Sequence, residues 1–541
     1  MKKVYRVFAL LAAMAMLGGC GGGGESSSES ESSTASSTDV SQAESSETAD
    51  APLYPVVTDG SITLEYWMPL DATAAQVVSS YAENTAYQKA QEVTGINIEF
   101  IHPTVGEAQS QFNLLIVSGD LPDMIQYAAF YSGGVYQGYE DGAYVDLTPY
   151  LEECAPDYYA LINEDEDIHR EVYKNDKVIT FERTNLEQDA PYYRPMVRSD
   201  WLEEFGMDVP RTLDDYEAYF QAILDNKPDA DPAIINLTGI ESERDLWMGA
   251  YDMKGEWYVV DGVVTHYYDN PNLRDFLTKM NEWYEAGYIS RDFAALTQEQ
   301  INTLFDSGQL GMYSQSVDNQ YSRAQQLENF SFTSCPNPRL TEDQKLHNGP
   351  SNNRVTARYS TAITSSCENI EAAVKFLNYG YTDEGILTYN YGVEGEAWNM
   401  VDGEPQYTDL MLNNPDGLTT SQVAYIYRVH FGPKAVVPDT KCLPGVIKDQ
   451  ESLDFRLLWS DDPNIDSDYS MPVLTLTAEE TQERADIIAE VSPYVSEMMM
   501  KFITGAESLD NFDTYLETLN SLNFPRAKEI TQAAYDRYME G

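Results

Sequence analysis

Between Ile62 and Tyr127, short apolar runs alternate with helix-forming stretches, and this rhythm constrains the fold more than any other feature of the chain. Ile62-Thr63-Leu64-Glu65-Tyr66-Trp67 reads as a strand that ends in two aromatics. A helix is predicted over 85–94, with Gly95 as its stop. Ile96 to Ile101 alternates like a strand, and Glu107 to Ser118 reads as a helix stopped by Gly119. Asp123 to Tyr127 is a short buried strand. A β-α-β-α-β succession of this kind predicts a parallel sheet with crossover helices. Such sheets take ligands at the carboxyl ends of their strands, where Trp67 and Tyr127 stand.

A second α/β region follows. Strands are predicted at 177–181 and 193–198. Thr212-Leu213-Asp214-Asp215 is a capping box that opens a helix. Asn272 to Ala286, closed by Gly287, is amphipathic, and Leu310 to Tyr313 reads as a strand. Helices resume at 369–379 and 382–390. Thr477-Ala478-Glu479-Glu480 is a second capping box, with helices onward to Tyr538. No repeat of solenoid length is present in the sequence.

The N-terminus carries an address. Lys2, Lys3 and Arg6 precede an apolar run from Val7 to Leu17, too short to span a bilayer comfortably. Leu17-Gly18-Gly19-Cys20 resembles a bacterial lipobox. The resemblance implies that residues 1–19 are a signal peptide and that the Cys20 thiol carries lipid, with two or three acyl chains anchoring stably. Residues 20–59 are Gly/Ser/Glu-rich and bury too little to fold. As a flexible coil they reach about 30–35 Å.

The chain has 541 residues and a formal charge of −56, so it repels phosphate and lacks the basic stripe that nucleic acids need. Apart from Cys20, the cysteines are Cys154, Cys335, Cys367 and Cys442, widely spaced and without a CxxC pair. That pattern fits buried thiols and leaves zero, one or two bridges open. No GxSxG, HExxH, GxGxxG or GxxxxGK motif occurs, and the five histidines lack ligand spacing. The expectation is a chain with no catalytic residue, cofactor or metal. The acidic loop Asp462 to Asp468 alternates oxygen donors as calcium loops do, but lacks their central glycine and distal glutamate.

Taken together, the lipobox, the tether and the two α/β regions resemble the extracellular solute-binding lipoproteins of ABC transporters, the family 1 or LplA-like carbohydrate-binding type. The resemblance covers nearly all of 60–541. It rests on Tyr87 to Gly95, Phe112 to Asp123, Asp141 to Thr148, Ala372 to Tyr379, Tyr389 to Glu396 and Lys501 to Gly505. It implies a type II periplasmic-binding-protein fold, with two discontinuous α/β lobes around a ligand cleft. Lobe 1 would hold about 60–180 and 355–445, and lobe 2 about 185–352 and 446–541. The chain would capture an oligosaccharide and deliver it to membrane permease subunits, as a monomer lipid-anchored on the extracellular face of a bacterial cell membrane. Peptide or another polar solute is the alternative ligand, and a surface glycan-active enzyme the less favoured reading. Many relatives carry a glycine-rich calcium loop where this chain has Asp225 to Pro232, without the glycines. Sugar recognition needs aromatic faces for C–H surfaces and planar polar groups for hydroxyls. The candidates are Trp67, Tyr127 and Trp398 from lobe 1, Trp247, Tyr251 and Tyr313 from lobe 2, and Arg358 at the return crossing. Trp201, Trp257, Trp283 and Trp459 are assigned to packing.

Overall fold

The parallel start expected from the sequence is present in the computed structural model. The model describes residues 52–187, 193–235, 243–316, 324, 327–349, 353–418, 420–442, 454–455 and 462–540. The signal peptide, Cys20 and most of the tether lie outside the described residues, as do Trp459 and the passage between the lobes expected near 445. Strands in chain order are β1 (Thr63–Trp67), β2 (Asn97–Ile101), β3 (Met124–Gln126), β4 (Thr180–Asn185), β5 (Tyr193–Arg198), β6 (Asp231–Ile234) and β7 (Trp257–Val260). They continue with β8 (Val263–His266), β9 (Leu310–Ser316), β10 (Phe332–Ser334), β11 (Val355–Ile363), β12 (Trp398–Val401), β13 (Glu404–Tyr407) and β14 (Lys434–Val436).

The first sheet has the order β14-β4-β11-β3-β1-β2. β2 and β3 both run parallel to β1, one on each side of it. The connections leaving β1 and β2 therefore diverge, and a crevice opens at the carboxyl ends of β1 and β3. β11 runs antiparallel between β3 and β4. The second sheet has the order β10-β5-β9-β6. The chain thus leaves the first sheet after Asn185, enters the second at Tyr193 and returns at Val355. The last helices, Ala478–Ile503, Phe512–Ser521 and Phe524–Glu540, contribute to the core of the second sheet. The molecule is thus built of two discontinuous α/β lobes.

Helix ends follow local chemistry. Gly95, Gly119 and Gly287 each close a helix in the left-handed conformation, which costs glycine nothing. Both capping boxes form, Thr212 with Asp215 and Thr477 with Glu480. Each sheet is apolar on both faces. Leu64, Tyr66 and Phe181 pack to one side of the first sheet, and Trp67, Ile125 and Ile179 to the other. All four later cysteines are buried.

The crossing is tied to lobe 1 by one arginine. The Arg354 guanidinium donates to the carbonyls of Asn185 (2.9 Å) and Leu186 (2.6 Å) and pairs with Asp165 at 3.1 Å. The amides of Arg354 and Val355 donate to the Glu171 carboxylate. The outgoing and returning strands are thereby knotted where the chain passes between the sheets.

Beside this knot lies Glu182 on β4, 5 % exposed. Thr180 donates to one of its oxygens at 2.5 Å, and the other has no partner among the described residues. Burial pushes its carboxyl up to about 7, while the Thr180 bond and the Lys174 ammonium hold it down. A carboxyl raised on folding gives stability that is complete below the unfolded value and is lost as pH rises through the folded one. Glu182→Gln removes that dependence. The unfolding free energy of Glu182→Gln relative to the parent is expected to rise by about 3 kcal/mol between pH 4.5 and 8. Urea unfolding across that range reads it, and a constant difference would contradict the assignment.

Candidate functional site

The crevice at the ends of β1 and β3 is lined by aromatic rings and guanidinium groups. Tyr127 follows β3 directly, at φ 60° and ψ 36°. A bulky residue in that left-handed region is strained by roughly 1 kcal/mol or more, and such strain persists where the surroundings hold it. Here Phe130 stacks on the Tyr127 ring at 5.0 Å, and Tyr359 meets its edge at 5.7 Å. Phe431 lies nearly parallel to Tyr359, at 4.5 Å and 16°. The Arg358 guanidinium sits 5.9 Å from both the Tyr127 and the Tyr359 ring centres. Arg183 approaches the same Tyr359 ring at 5.6 Å and donates to the His430 carbonyl.

A break in the sheet aims these groups. β11 pairs regularly with β4 at Val355 and Thr356, and again from Thr361, but residues 357–360 stand opposite Glu182 alone. A bulge of this size lifts side chains out of the ladder. Arg358 is exposed as a result, and Tyr359, Tyr127, Phe130 and Phe431 are half-buried.

Polar groups without partners lie next to the rings. Gln126, fully buried, bonds with neither amide atom among the described residues, and the buried Ser360 hydroxyl is likewise unpartnered. Such groups are costly unless something bonds to them. Gly432 has φ +125°, and a Cβ there would come within 3.5 Å of Gln126 Nε2 and 3.2 Å of Tyr87 Oη. Only glycine leaves that space open. Asp71, after β1, accepts from the Thr73 amide at 2.7 Å. Burial pushes the Tyr127 phenol up to about 12, so it stays a neutral donor and acceptor.

Of the seven ligand candidates, the structure brings two together, Tyr127 and Arg358. Trp67 is a correction. It is 4 % exposed and meets Phe112 edge-on, because β1 is a central strand with both faces covered. Trp247 is a second correction, fully buried between Tyr216 at 4.9 Å and Trp283 at 5.3 Å. Trp398 is a third, since its indole donates to the Gly392 carbonyl inside a small core beside the β12–β13 hairpin. Tyr313 is 6 % exposed among Met196, Ile234 and Phe305, on the covered face of β9. Tyr251 is half-buried, edge-on to Phe276 at 5.8 Å. Sequence reasoning missed Tyr359, Phe431, Arg183 and Gln126. Two of them adjoin named residues, but the bulge that gathers them has no signature in the sequence.

Two further places are chemically satisfied. A cavity of about 620 Å³ lies at the end of β5 away from the crossing. Its Arg198 is sandwiched between Trp201 and Phe330 and paired with Asp200, and its Lys227 is paired with Glu204. In the acidic loop, Asp462 pairs with Arg339, and Asp466 with Lys345 and His347. Ligand atoms of His347, Asp466 and Asp468 lie within 4.8 Å of one another, but Asp466 is already occupied by those two basic side chains.

Residues 74–386 match the family model described as "Bacterial extracellular solute-binding protein". The lipoprotein LipO of Bacillus subtilis is 26 % identical over 346 residues, which is 60 % of this chain and 65 % of LipO. The polygalacturonan/rhamnogalacturonan-binding protein YtcQ of the same organism is 19 % identical over 59 % of this chain and 64 % of its own length. The matched part of the chain therefore spans a little under two thirds of these relatives. Among solved structures, the substrate-binding protein FusA of Streptococcus pneumoniae in complex with kestose superposes with a TM-score of 0.69 at 19 % identity, covering 88 % of this chain and 99 % of that one.

Proposed function

This chain belongs to the family of bacterial extracellular solute-binding proteins, and from that premise we propose that it captures an oligosaccharide at the Tyr127–Tyr359–Phe431 platform for an ABC importer. The observation that carries the reading is the pairing of half-buried, stacked aromatic rings with buried polar groups unbonded among the described residues, at a topological switch point. Aromatic faces cover the C–H surfaces of sugar rings, while Gln126, Ser360 and Arg358 offer bonds to hydroxyls. Relatives bearing saccharide names, YtcQ and FusA, support the ligand class. The partner is the membrane permease of the importer, and the protein acts by binding without turnover. Saturable binding with release of the unaltered ligand tests the last point, and accumulation of cleaved sugar would contradict it.

Cys20 would hold this body on the outer face of the membrane as a lipid-anchored monomer, in line with the lipoprotein relative. Cys20→Ala is then expected to move the protein from the membrane fraction to the soluble one, with ligand affinity unchanged.

Tyr127 gives the sharpest test of the site. Tyr127→Gly deletes the ring but suits the left-handed backbone, so strain relief offsets part of the lost packing. Oligosaccharide affinity, measured by titration calorimetry over a glycan panel, is expected to fall at least about ten-fold, or roughly 1.4 kcal/mol. The thermal midpoint of the free protein should move little. A saturating ligand, at about a hundred times its Kd, should stabilise the parent by about 2.7 kcal/mol. Stabilisation by peptides and by no saccharide would move the assignment to a peptide binder.

A further inference from the structure

We infer that the saccharide is acidic and that Arg358 receives its carboxylate. This inference rests on the sugar-binding reading above and narrows it. The chain holds 89 Asp and Glu against 33 Lys and Arg, yet its arginines divide, and Arg170, Arg274 and Arg291 are exposed without an ion pair among the described residues. Arg198, Arg211, Arg354 and Arg526 are each paired with a carboxylate. Arg358 is exposed and makes no ion pair among the described residues.

Its placement is built. The bulge at 357–360 lifts it from the ladder, and the Tyr127 and Tyr359 rings hold it at equal distances of 5.9 Å. Arg183 comes within 5.6 Å of the same Tyr359 ring and donates to the His430 carbonyl. Asp71 makes no ion pair with Arg358, and its Oδ1 accepts from the Thr73 amide at 2.7 Å. A planar guanidinium with its forked donors free suits a carboxylate, and bonds to charged partners are roughly twice as strong as neutral ones. The unbonded Gln126 amide and Ser360 hydroxyl are buried on the residues adjacent to Tyr127 and Tyr359. The overall negative charge opposes this ligand at long range, but physiological salt screens it beyond about 8 Å.

The test is calorimetric titration of the full chain with acidic oligosaccharides (oligogalacturonate, oligoalginate and oligohyaluronan), each beside its carboxyl-reduced form, and with neutral kestose and maltotriose. At least one acidic oligosaccharide is expected to bind about ten-fold or more tightly than its reduced form. Arg358→Gln should close that gap, and Arg358→Lys should keep part of it. Arg211→Gln, which removes the same charge far from the platform, should leave the gap intact. Equal affinity for acidic and reduced forms, binding of neutral sugars alone, or a gap that survives Arg358→Gln overturns the inference and leaves the sugar reading standing. Binding of no saccharide at all overturns both.

Discussion

Trp247→Ala is expected to remove about 3–5 kcal/mol from the stability of lobe 2, the usual cost of deleting a fully buried aromatic. Trp247 is fully buried, and its indole meets Tyr216 and Trp283 edge-on in the core that the last helices complete. Truncation leaves a cavity that the adjacent rigid rings cannot close. Urea unfolding followed by circular dichroism reads the loss, in the transition of the lobe that holds the residue if the lobes unfold separately. A ligand-stacking tryptophan would behave the other way, with a small change in stability and a large one in affinity. Trp247→Phe refines the test. The indole N–H has no partner among the described residues, so phenylalanine removes an unsatisfied donor while keeping most of the apolar volume. Its cost should be less than half that of alanine. Similar losses for both would mean that the six-membered ring contributes little to the packing.

What the sequence reveals depends on whether the deciding interactions are local. Gly95, Gly119 and Gly287 end their helices at the expected residues because a left-handed cap depends on one residue's backbone freedom. The capping boxes at Thr212 and Thr477 close within four residues, so they too are visible in sequence. β4 is different. The apolar run 177–181 predicts a strand there, but pairing begins at Thr180 and extends to Asn185. The amide of Val178 instead donates to Thr148 Oγ1, a partner thirty positions away.

The ligand candidates divide along the same line. A tryptophan at the end of an alternating run resembles a cleft residue if one face of the sheet is open. In a central parallel strand both faces are covered, and Trp67 is packed beneath Phe112. The place of Tyr127 at the crevice was legible because the end of β3 coincides with the switch point, which follows from strand order. Tyr359 and Phe431 were not, since a four-residue bulge and a stacking contact across seventy residues of chain leave no periodic trace.

Arg339→Ala should cost as much as the loss of Trp247, for an electrostatic reason. Arg339 is fully buried, and its guanidinium contacts the Asp462 carboxylate, itself only 8 % exposed. Its backbone also accepts from the Leu213 amide at 3.0 Å and donates to the Arg211 carbonyl at 3.2 Å, at the start of the capping-box helix. The pair therefore fastens the 462–466 segment to the base of that helix. Two charges taken out of water gain little as a pair over well-packed apolar residues, but removing one partner strands the other. The alanine variant leaves the Asp462 carboxylate buried without its cation, and about 3–5 kcal/mol is expected to be lost in urea unfolding. Arg339→Met combined with Asp462→Leu strands no charge and should recover most of that loss. The double substitution falling as far as the single one would mean that the pair stabilises by attraction. Full recovery would mean that it serves to set the position of the acidic loop, and ligand affinity in the double variant then reports whether that position matters to binding.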